Sequence, residues 1–104
     1  MFKKITFVAA GAALLSACAG SEDFTPPPTA TALDIHNMAC ASCHGPVQHN
    51  GETYFWEITA ENANTAYIKD KVSNGSMMMP SFPNIKGEKL DTLVAFVLEK
   101  NKAE

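Results

Sequence analysis

Arginine is absent from this 104-residue chain; its eight basic side chains are all lysine, against eleven Asp and Glu, for a formal net charge of −3. A surface this short of positive charge has little with which to hold a phosphate backbone, which argues against nucleic acid as a partner. Long apolar runs are also missing. The best candidate, Ile5 to Leu15, is interrupted by Thr6 and Gly11 and reaches about half of the roughly 20 residues that a spanning helix requires. Cysteine is scarce, with Cys18, Cys40 and Cys43 only. No β-rich run of convincing length surrounds the latter two, so a βαβ framework is not expected there.

What the first residues do contain is a basic start, Lys3-Lys4, then the short apolar core, then Leu15-Ser16-Ala17-Cys18. That order describes a secretory signal peptide over 1–17. Leu15-Ser16-Ala17-Cys18 resembles the bacterial lipobox, whose cysteine becomes the lipidated first residue of the mature chain; the competing reading is a soluble periplasmic protein cut elsewhere nearby. Cleavage before Cys18 leaves 87 residues, in which six lysines face eleven acids for a formal −5. A domain of that size buries a modest fraction of its surface unless something else fills its core. Residues 18–30, with Pro26-Pro27-Pro28, read as a polyproline tether that stays out of the packed interior, and Phe24 is assigned no role.

Cys40-Ala41-Ser42-Cys43-His44 carries the chemistry. Two cysteines two residues apart can form thioethers to two vinyl groups on one porphyrin edge, and the adjoining histidine can bind the iron from below; this is the attachment signature of a c-type haem. Such a pair also serves dithiol oxidoreductases and zinc sites. The first alternative wants a strand–helix setting that is lacking here. For the second, Cys40, Cys43 and His44 with His36 or His49 give enough ligands, but adjacent Cys43 and His44 fit poorly around one tetrahedral ion. Haem attachment accounts for Cys40 and Cys43, lipidation for Cys18, and no disulfide remains. His49 sits in the turn His49-Asn50-Gly51 and reads as a surface residue.

Helical segments are expected over 31–39, from Thr59 or Asn64 to Asn74, and over 88–100. In the last, Leu90, Leu93, Val94 and Val97 repeat at i, i+3, i+4 and i+7. Tyr54, Phe55 and Trp56 with Ile58 form the densest aromatic cluster, read as core, with the Trp56 indole as a candidate partner for a haem propionate. Tyr67 is read either as a hydroxyl reaching that site or as an ordinary half-buried residue.

With Gly75-Ser76-Met77-Met78-Met79-Pro80 following the haem motif, and an amphipathic helix at the end, the chain from about Thr31 to Asn101 resembles a class I bacterial cytochrome c. The resemblance implies an all-α class I cytochrome c-like domain over 31–104, with about three main helices around one covalently bound haem. Met79, directly before Pro80 and 35 residues after His44, takes the place of the sixth ligand, with Met78 as the alternative. A thioether is a soft neutral donor suited to haem iron. The resemblance also gives Pro46 as an acceptor for the axial imidazole, and Leu93 and Phe96 as residues packed on the haem and the first helix. The family usually has an aromatic four residues before the first cysteine. His36 stands there instead, which leaves the tightness of the crossing of the first and last helices open without touching haem attachment.

The function implied is single-electron transfer by one haem c with His44 and Met79 as axial ligands, on the periplasmic side of a membrane that lipidated Cys18 grips. With both axial positions filled there is no site for a small-molecule substrate, so a carrier is expected, not an enzyme. Redox proteins are its expected partners, and the chain is expected to be a monomer. An open sixth position would make it instead a gas sensor or a peroxidase-like protein. Ala19 is not the aspartate that resembles an inner-membrane retention signal, and the choice of inner or outer membrane is left open.

Overall fold

The computed structural model describes residues 20–102, so the expected signal peptide and Cys18 lie outside the described residues. Helix α1, Ala32–Ile35, opens on a capping box: Asp34 N–H donates to Thr31 Oγ1 (3.1 Å) and Thr31 N–H to Asp34 Oδ2 (2.9 Å). The Thr31 backbone N–H first, and the Thr31 side chain after it, hold the Asp34 carboxyl below its ordinary pKa. The helix then widens into a π turn, His36–Cys40, closed by Ala41 N–H on the His36 carbonyl at 2.8 Å. Isolated π turns inside α-helices recur at functional sites. Ile35 and His36, successive residues at this transition, are both fully buried.

The expectation of an all-α domain is met only in outline. After the turn that carries His44 comes an antiparallel hairpin, β1 Val47–His49 and β2 Glu52–Tyr54, in the register Val47↔Tyr54, Gln48↔Thr53 and His49↔Glu52. Asn50 and Gly51 turn it, both at positive φ (54° and 82°), which matches the twist of a tight two-residue hairpin. The Asn-Gly pair was legible as a turn. Strands only three residues long, with β1 wholly exposed, leave no apolar alternation to read.

Helix α2, Thr65–Asn74, is capped by Asn64, whose Oδ1 accepts from Tyr67 N–H at 2.9 Å. It turns Ile68 and Val72, one helical turn apart, into the core. Helix α3, Gly87–Glu99, buries Leu90, Leu93, Val94 and Val97, the stripe expected from the sequence. Both α1 and α2 pack on α3. A Lys69–Asp91 ion pair at 3.0 Å joins α2 to α3; as an exposed pair it contributes less than about 1 kcal/mol.

The proline segment departs from the tether reading. From Gly20 onward it lies on the domain as a strap: Pro26 and Ala30 are buried, and Phe24 meets Phe82 edge to face at 6.3 Å. Asn84 Nδ2 donates to the Glu22 carbonyl at 3.0 Å, and Lys89 Nζ to those of Pro28 and Ala30 at 2.8 and 2.6 Å. A proline run has no N–H to place in a ladder, but its carbonyls remain strong acceptors. Here a lysine from α3 satisfies two carbonyls of the strap. Among the described residues, no helix is long and apolar enough to cross a membrane.

Candidate functional site

The segment Cys40 to His44 is a compact turn at the end of the π-helical stretch, with Cys43 N–H and His44 N–H both donating to the Cys40 carbonyl (3.1 and 2.9 Å). Both thiols are free. Cys40 is half-buried and Cys43 exposed. His44, half-buried, lies with its ring 5.3 Å from that of Trp56.

Two cavities of about 240 Å³ each meet at Cys40, His44 and Met79. One is lined further by Trp56, Ile58, Ile68 and Val72, the other by Met78, Pro80 and Phe82. A third, wider hollow of about 540 Å³ opens on the hairpin side of His44, with Val47, Trp56 and Tyr67 in its wall. The imidazole therefore borders all three spaces. The walls of the two smaller cavities are largely apolar, whereas the wide hollow also has Glu57, Thr59 and Asn62 in its wall.

The three methionines, indistinguishable in type, are separated by the fold of their loop. Ser76 N–H donates to the Met79 carbonyl (2.8 Å) and Met79 N–H to that of Ser76 (3.3 Å), so the four residues form a closed turn. Met77 and Met78 form its tip, 98% and 89% exposed, while Met79 is half-buried and borders both inner cavities. Gly75 lets the chain enter that turn at φ 69° and ψ −164°.

Titration behaviour agrees with a ligand role for the histidine and opposes thiol chemistry. Burial holds His44 below its ordinary pKa, favouring the neutral imidazole that can bind a metal. Burial, with Cys43 beside it, pushes the Cys40 thiol up to about 11. A dithiol oxidoreductase needs the opposite, a thiolate stabilised near neutral pH. Among the described residues, no three His, Cys, Asp or Glu side chains come together as a metal cluster of the zinc kind.

Other expected residues fall as follows. His49 is exposed on the hairpin. Pro46 is exposed, and no hydrogen bond joins its carbonyl to the His44 ring among the described residues. Tyr67 is half-buried in the walls of two of the spaces. Leu93 is buried, and Phe96 lies 6.1 Å from the ring of Phe55.

His36 is packed into the helix crossing. Only 1% exposed, it occupies the aromatic slot, with its ring 4.2 Å from Phe55, 5.1 Å from Trp56 and 5.9 Å from Phe96. Its Nδ1 is buried without a hydrogen-bond partner. Burial, followed by the nearby His44, depresses its pKa. A histidine buried neutral contributes its full stability above the unfolded-state value near 6.5, and that contribution is lost as pH falls through the depressed folded value, because the unfolded chain then binds the proton more readily. His36→Phe is expected to raise stability at pH 7 by about 1 kcal/mol, by removing the unpaired buried nitrogen. It is also expected to flatten the acid limb; urea midpoints between pH 7 and 5 check both.

Two thiols, an imidazole and a thioether around one apolar crevice, set among three helices, are the parts of a cytochrome c domain, and their chemistry fits haem c. The chain belongs to the family described as cytochrome C oxidase, cbb3-type, subunit III, whose model matches residues 27–97. It is thus a monohaem cytochrome c, and haem-based electron transfer with redox partners is the work such a domain supports. Neither the curated proteins nor the solved structures gave a match.

Sequence reasoning missed the strap lysine Lys89 and the buried Asn101. Each acts on backbone more than 40 residues away, and neither has a local signal that would mark it.

Proposed function

We propose that this protein is a single-electron carrier, not an enzyme, held on the periplasmic side of a membrane by lipid on Cys18. Cys40 and Cys43 would hold one haem c by thioethers, with His44 and Met79 as ligands to its iron, and the group would supply a one-electron couple there. Everything else is done by the chain. His44 presents a neutral imidazole, Met79 offers a soft sulfur from a loop stiffened by Pro80, and Trp56, Ile58 and Phe82 give the crevice apolar walls.

The observation that carries this reading is the loop turn Ser76 to Met79. It brings one thioether, and only one, to both cavities that also touch Cys40 and His44. The acidic balance after Lys3 and Lys4 suits a partner with a basic docking patch, where complementary charge sets encounter rate and orientation. Carbon monoxide titration of the ferrous protein tests the filled sixth position. No spectral change is expected at millimolar gas. Stoichiometric binding would indicate an open iron and favour a gas sensor or peroxidase-like protein.

A further inference from the structure

Asn101 is one of two buried polar residues among those described, the other being His36. It stands just beyond the end of α3, where a polar side chain would ordinarily face water. Instead its amide reads the backbone of another segment as a peptide group would. Ile58 N–H donates to Asn101 Oδ1 at 2.6 Å, and Asn101 Nδ2 donates to the Ile58 carbonyl at 3.1 Å.

The neighbouring main chain continues the same seam. Phe55 N–H and Trp56 N–H both donate to the Lys100 carbonyl (2.9 and 3.3 Å), and Lys102 N–H donates to that of Trp56 at 2.8 Å. Residues 55–58 belong to no helix or named strand. The hydrogen bonds that hold their backbone run to residues 100–102. Those same residues supply the wall of the crevice: Trp56 lies against His44 (5.3 Å between rings), and Ile58 borders the cavity that Met79 closes from the other side.

We propose that Asn101 is a positioning residue for electron transfer: by pinning Ile58 and, beside it, Trp56 it fixes the wall that lies against His44 and thereby sets the reduction potential. Neither an apolar nor a shorter side chain can satisfy both Ile58 groups, and an unpaired buried peptide group draws in water. Water beside the iron favours the more highly charged ferric state. This rests on the haem-binding reading above, so the wild-type and variant proteins are first checked for covalent haem by mass. Failure of that check in the wild type counts against the function and not against Asn101.

The test is a redox titration of haem-loaded Asn101→Ala and Asn101→Gln. Asn101→Ala is expected to shift the ferric/ferrous equilibrium about tenfold towards ferric, which is about 59 mV for one electron. Asn101→Gln keeps both the acceptor and the donor but displaces them by one methylene without adding charge, so a smaller shift in the same direction is expected; it decides alone if the alanine variant does not fold. Wild-type potentials accompanied by a lower urea midpoint would overturn the proposal and leave Asn101 a structural clamp only.

Discussion

Met79→Ala is expected to lower the reduction potential by on the order of 0.2 V, a portion of the roughly 0.8 V that axial ligation spans, while the haem stays covalently attached. The neutral thioether favours ferrous iron, and nothing in the variant replaces it from the same place. Met79 borders the crevice because the Ser76–Met79 turn closes on itself and leaves Met79 half-buried at its foot. Met78 shares one cavity with Met79 yet is 89% exposed at the tip, so Met78→Ala is expected to leave the potential and the optical spectrum as they are. A reversed pattern, with Met78→Ala losing the ligand band and Met79→Ala keeping it, would assign the sixth position to Met78. Redox titration with optical spectra of both variants distinguishes the two.

Gly75→Ala is the second large effect. At φ 69° and ψ −164° the residue occupies backbone space that is essentially restricted to glycine. A Cβ there would also meet the Met79 carbonyl oxygen at 2.5 Å, and the Pro80 carbonyl carbon and Ser81 nitrogen at 2.9 Å each. All three are backbone atoms, so no side-chain rotation relieves the contact. The substitution forces apart the start and end of the turn that holds the sulfur. A loss of more than about 3 kcal/mol is expected, together with weakened thioether ligation, readable from urea unfolding and from the optical spectrum of whatever fraction folds. A variant of native stability with an unchanged spectrum would show that the loop tolerates a different path. By contrast, Gly45→Ala meets nothing within 4 Å and is expected to be benign.

How much of this was legible beforehand depended on how local the chemistry is. The haem motif could be read because thioether geometry dictates cysteine spacing over five consecutive residues, Cys40 to His44. The α3 stripe could be read because a helix repeats its buried face every 3.6 residues. The hairpin was seen only as its turn, Asn50-Gly51, since its strands are too short and exposed to carry a pattern. The strap was misread because proline content speaks to the backbone a segment adopts, not to its contacts. Phe24 finds Phe82 and Glu22 finds Asn84 across some 60 residues of sequence. His36 departs from the family pattern, and what it does at the crossing could not be read from the sequence: the flat imidazole fills an aromatic slot, and the cost appears as an unpaired nitrogen. Asn101 carried no signal at all, because a single asparagine after a helix reads as solvent-facing until the segment it clamps is known.

The central claim is that Cys40 and Cys43 carry a haem by covalent bonds, and intact mass under denaturing conditions, on protein from a host equipped for cytochrome maturation, tests it most directly. A mass one haem above that of the polypeptide is expected, reverting to the bare polypeptide in a Cys40→Ser, Cys43→Ser variant. A folded wild-type preparation with the mass of the polypeptide alone, and no absorption in the visible, would contradict it.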